Sequence, residues 1–117
     1  MFVVKEYDYD NSTDDPEITE HGEFTDIINA ICEMNRQADQ AVTAYENDGY
    51  HVSRYTGAEE LMTIVTDDVN EIDFAVEYRD YQNNDHKLPN LSNLAADYAL
   101  ITKFIEYRSG LRTKRRL

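Results

Sequence analysis

Glu6, Asp8 and Asp10 stand two residues apart, with Tyr7 and Tyr9 between them. In an extended chain, residues two apart share a face at about 6.4 to 6.8 Å. Three carboxylates so placed repeat at a distance comparable to that between successive phosphates of a nucleic-acid strand. Tyrosine interleaved with acid suits a surface that docks onto an arginine-rich cleft. Asp73 and Glu77 form a second acidic pair, expected on the solvent face of a strand. Asp14, Asp15, Glu17, Glu20 and Glu23 form a third group, in a stretch expected to be a loop. The candidate partner-binding residues are therefore Glu6, Asp8, Asp10, Asp14, Asp15, Asp73, Glu77, Tyr7 and Tyr9.

Other chemistries fit the sequence poorly. The run from Asp8 to Asp14 begins like a calcium-binding loop, with oxygen-bearing residues at positions 1, 3, 5 and 7. Its sixth position is Thr13 where the turn needs Gly, and its twelfth is Thr19 where a bidentate Glu is expected. His21, His51 and His86 have no His or Cys at metal-binding spacing. Cys32 sits beside the apolar stripe of a helix and reads as a small buried hydrophobe. No phosphate-binding glycine loop, nucleophile elbow or HExxH motif occurs, and four glycines leave little from which to build a cofactor cradle. The sequence predicts no enzyme activity, no metal and no cofactor.

The bases are distributed as unevenly as the acids. Residues 1 to 102 hold 23 of the 24 acids and only five bases (Lys5, Arg36, Arg54, Arg79 and Lys87), a sum of −18. Residues 103 to 117 hold six bases and one acid, +5, which brings the chain to its net −13. Such a body repels nucleic acid and attracts what nucleic acid attracts. Direct nucleic-acid binding is expected only through the basic tail, if at all. No apolar run is long enough to cross a bilayer, and no signal-peptide pattern or cysteine pair is present. A cytoplasmic protein with no membrane partner is the expectation.

The elements that must position these residues are legible in the periodicity. Residues 1 to 9 form a strand. From Phe24, the residues Ile27, Ile31, Met34, Ala38, Ala41 and Tyr45 follow helical spacing, with Thr25 as the expected N-cap and Asn47-Asp48-Gly49 as the stop. Tyr50 to Thr56 and Leu61 to Thr66 read as short strands. Ile72, Phe74, Val76 and Tyr78 then alternate with Asp73, Ala75, Glu77 and Arg79 as a half-buried strand, hairpin-paired to Leu61–Thr66. Leu91, Leu94, Tyr98, Ile101 and Ile105 predict a second helix to about Arg108. The fold class expected is α+β: a two-layer domain in the order β-α-β-β-β-α, with a small, mainly antiparallel sheet packed by two helices. Residues 1–110 form the single acidic domain and 111–117 a basic tail.

Two functions fit these features. In the first, the chain is a small acidic inhibitor that mimics nucleic acid and occupies the site of a basic nuclease or other nucleic-acid-binding protein. In size and charge it resembles, as a type, the phage-encoded anti-restriction and anti-CRISPR proteins, a likeness of composition alone. In the second, it is an intracellular adaptor or accessory interaction protein whose acidity serves solubility.

Overall fold

The computed structural model describes residues 1–9, 15–67 and 69–90. Asp10, Asp14, most of the calcium-like loop, the expected second helix and the basic tail lie outside the described residues. Within them the order is β1 (Phe2–Tyr9), β2 (Glu17–Phe24), α1 (Ile27–Asn47), β3 (Ser53–Thr56), β4 (Met62–Thr66), β5 (Glu71–Arg79) and β6 (Asp85–Lys87). The strands form one antiparallel sheet in the order β2-β1-β5-β4-β3. β6 pairs with Glu77–Arg79 of β5, beyond the stretch that β4 occupies.

The centre of the sheet is the β1–β5 pair, in register from Phe2↔Tyr78 to Tyr9↔Glu71. Side chains alternate across a strand, so this register puts Phe2 and Val4 on the same face as Ile72, Phe74, Val76 and Tyr78. α1 covers that face with Ile27, Ala30, Met34 and Ala38, all buried, and Val65 and Leu88 complete the cluster. Ala30 and Ala38 leave the helix backbone close to the sheet, and each fully buried Val or Phe side chain contributes about 1.5–3 kcal/mol.

α1 starts one residue later than its capping pattern suggests. Asp26, rather than Thr25, is the N-cap: its Oδ1 accepts the backbone N–H of Ile28 at 2.7 Å and of Asn29 at 3.4 Å. The stop is where the sequence puts it. Gly49 takes φ +87°, its N–H donates to the Glu46 carbonyl at 3.0 Å, and the Tyr50 N–H reaches the Tyr45 carbonyl at 3.0 Å. These two bonds make a Schellman cap, sealed by an edge-on contact between the Tyr45 and Tyr50 rings at 6.0 Å.

Four expectations are corrected. Glu17–Phe24 is a strand and not a loop; as an edge strand it is held by its ladder to β1 and needs little apolar content. Asp85–Lys87 forms β6, although it lies in Gln82–Asn90, where Asn83-Asn84-Asp85 and Pro89 predict a loop. Cys32 is exposed, because it lies on the far side of α1 from Ala30 and Met34. The second face of β5 is not a solvent face: Ala75 and Glu77 are buried, since a central strand has neighbours on both sides and polar side chains close over it.

A side chain at Gly49 would meet nothing within 4 Å, so a substitution there acts through the backbone alone. Gly49→Ala should therefore lower unfolding stability by about 1–2 kcal/mol. Chemical denaturation checks this, and an unchanged midpoint would show that the cap carries no conformational demand.

Candidate functional site

The β1–β5 register divides the predicted acidic residues between two faces. Glu6 and Asp8 share the helix side with Phe74 and Ile72, their Cα partners. Tyr7, Tyr9, Asp73 and Glu77 lie on the opposite face of the sheet. They do not form one row, and Asp15 stands apart from them, exposed ahead of β2.

On that face Lys5, Arg79 and Lys87 gather. Lys5 reaches Glu77 at 3.2 Å and Asp85 at 2.6 Å. Arg79 binds Asp85 and Glu23, each at 2.7 Å, and Glu20. Lys87 bridges Glu60 and Glu77 at 3.5 and 3.7 Å, and stands 4.9 Å over the ring of Tyr7. Glu77, only 3% exposed, is held between both lysines and accepts the Tyr7 hydroxyl. Burial first, and then the Glu77 carboxylate, push the Tyr7 hydroxyl well above the usual phenol range. Arg79 and Lys5 hold Asp85 down at about 2 against the opposing effect of its burial. Glu77 is therefore buried in this ion network, which corrects its expected exposure on a solvent face.

On the helix side, Arg36 pairs with Glu33 and Arg54 with Asp39. With Lys5, Arg79 and Lys87, these account for every Lys and Arg among the described residues. His21 contacts Glu6 at 2.7 Å, and His86 contacts Asp80 at 2.8 Å.

Several acids of the described residues meet at one end of the domain. Tyr45, in the last turn of α1, has its hydroxyl raised by burial and then by the charges of Asp8, Asp67 and Glu6. Strand ends and helix end thus meet. Glu46 and Asp48 stand exposed at the same helix terminus, whose last turn contains no base. The helix dipole already places about half a negative charge there. Glu17, exposed, is the Cα partner of Asp8, and Glu71 faces both Tyr9 and Thr66. We call this end the acidic pole. Its sequence signal is the absence of any base between Asp39 and Tyr50, which carboxylate rows along a strand do not display.

Asp73 is strongly perturbed. Burial, then a hydrogen bond and like charge from Glu71, raise its carboxyl to about 7. One of its oxygens is buried without a hydrogen-bond partner. Two carboxyls two apart on one strand face cannot both ionise cheaply. Among the described residues, no group of three or more His, Cys, Asp or Glu is arranged to hold a metal ion, and no helix is long and apolar enough to cross a membrane. Open clefts of 420 Å³ beside Arg36, Asp39 and Asn47 and of 270 Å³ between Met34, Asn35 and Met62 flank α1.

Compared with known proteins, the chain matches no family model, no curated protein and no solved structure.

Because the Asp73 pKa is higher in the fold than in the unfolded chain, the native state binds the extra proton between about pH 4 and 7. Its contribution to stability is unperturbed below that window and becomes a penalty as pH rises through it. Asp73→Asn should thus raise the denaturation midpoint at pH 8 and leave it nearly unchanged at pH 4. An equal effect at both pH values would contradict the shared-proton assignment.

Proposed function

We propose that this protein is a small acidic binding protein that inhibits a nucleic-acid-binding protein, such as a nuclease, by presenting carboxylates where nucleic acid presents phosphates. The observation that carries this reading is the complete use of the described cations in ion pairs within the fold. Among the described residues no Lys or Arg stands outside these pairs, so the acid at the α1 terminus meets no free base there.

The placement of Glu46 and Asp48 strengthens the reading. Acid at a helix C-terminus opposes the dipole and typically costs about 0.3–1 kcal/mol. Acid needed only for solubility can be placed anywhere on the surface, including sites where it costs nothing. Acid kept where it lowers stability fits a surface selected for its potential. The anti-restriction and anti-CRISPR type resembled in composition belongs to this mode of action, with the basic partner's nucleic-acid site as the target.

Two experiments separate this reading from that of an adaptor whose acidity keeps it soluble. A complex with a basic nucleic-acid-binding partner should lose at least tenfold in affinity between 0.1 and 0.5 M salt, as the Debye length shrinks from about 10 Å, and duplex DNA should compete with it. A partner retained at 0.5 M salt and indifferent to DNA would contradict mimicry. Glu46→Lys should stabilise the fold by about 0.3–1 kcal/mol at low salt while weakening the partner complex. Under the adaptor reading, the same variant gains stability and leaves binding unaffected.

A further inference from the structure

β2 is an edge strand, and which of its backbone groups face outward follows from one pair at the start of β1. The Met1 amine donates to the Arg79 carbonyl at 3.1 Å, and the Arg79 N–H donates to the Met1 carbonyl at 2.7 Å. Met1 and Arg79 are therefore a hydrogen-bonded antiparallel pair, and hydrogen-bonded pairs alternate along a ladder. The odd residues of β1 turn their backbone groups toward β5, and the even residues, Phe2 to Asp8, turn theirs toward β2. Glu6 faces Thr19 and Asp8 faces Glu17. Thr19 and Glu17 are thus bonded inward, and the backbone N–H and C=O groups of Ile18 and Glu20 point away from the sheet. Among the described residues, β2 pairs with β1 alone.

Edge strands are commonly protected by lysine, by proline or by a bulge that twists the edge away. β2 has no lysine and no proline. A register shift opposite Val3–Lys5 disturbs only its Glu23 end. The regular stretch, Glu17–Glu20, is exposed throughout, with Ile18 at 53%. Glu17, Glu20 and Glu23 line this edge, and Arg79 is the one base that Glu20 and Glu23 share, so carboxylates outnumber cations along it. A second copy of a chain with net charge −13 is repelled from it, whereas an extended segment carrying alternate Lys or Arg finds carboxylates beside each open backbone group.

We infer that the β2 edge accepts an extended basic segment of the partner protein as an added antiparallel or parallel strand, with Ile18 and Glu20 supplying the backbone bonds. This mode of recognition takes affinity from main-chain hydrogen bonds and selectivity from the flanking side chains. The inference rests on the partner being basic, and adds to charge mimicry a geometric requirement that nucleic acid itself does not have.

The test uses the full chain and two capped ten-residue peptides of equal charge, one alternating Lys and Thr, the other with Pro in place of alternate Thr so that it cannot extend a sheet. The Lys–Thr peptide should slow hydrogen exchange at the Ile18 and Glu20 amides at least tenfold, and the Pro-containing peptide should not. Ile18→Pro removes an outward N–H and leaves the β1 ladder intact, so it should weaken Lys–Thr peptide binding at least tenfold. Equal binding of the two peptides, or of the variant, overturns the inference. So does protection of these amides without peptide: dependence on protein concentration would assign the edge to a second copy, and independence to a segment of the same chain. A partner complex that is salt-steep yet indifferent to Ile18→Pro would retain the mimicry and remove the added strand.

Discussion

The pairing of β1 with β5 is the constraint from which the other features follow. Its register decides in one step that Val4, Phe74 and Val76 meet α1, and that Lys5, Tyr7 and Glu77 meet each other on the opposite face. A shift by one residue would send the charged set into the core and the apolar set into solvent. Two independent contents, an apolar cluster under the helix and an ion network on the opposite face, therefore enforce the same alignment. The exchange of hydrogen bonds between Met1 and Arg79 pins its end.

The ion network has an electrostatic consequence beyond stability. Arg79 and Lys5 collect Glu20, Glu23, Asp85 and Glu77 toward the end of the sheet at Phe2 and Tyr78. Isolated surface pairs of this kind are worth little, whereas a partly buried network around Glu77 leaves no charge there unanswered. Removing either Lys5 or Lys87 would leave Glu77 short of a partner in a site that water barely reaches. Three of the sheet's four bases, Lys5, Arg79 and Lys87, are thus taken up around Glu77 and Asp85, whereas Glu46 and Asp48 at the α1 terminus have no base in the last helical turn.

Much of this was legible in the residues. α1 and β5 announce themselves through period, and the Asn47-Asp48-Gly49 stop through turn chemistry, because those signals are local. β2 was not legible: Glu17–Phe24 offers only Ile18 and Phe24 as apolar residues, and an edge strand is specified by the backbone of its neighbour. The solvent reading of Glu77 failed for a related reason. Alternation identifies two faces, but not which polar face is covered, and the covering groups come from Lys5, Tyr7 and Lys87 on two other strands. The split of Glu6 and Asp8 from Asp73 is likewise a property of register between distant segments. The acidic pole joins residues from four separate stretches of chain, and no single stretch displays it.

The central claim is that the surface potential is polarised by this consumption of bases. Relaxation of backbone amide protons by a matched pair of cationic and anionic paramagnetic cosolutes reports the local potential residue by residue. The cationic probe should be favoured most strongly at Glu17, Glu46, Asp48 and Gly49, and least at Phe2, Tyr78 and Arg79. A uniform ratio along the chain, or a stronger preference at the Arg79 end, would contradict the account.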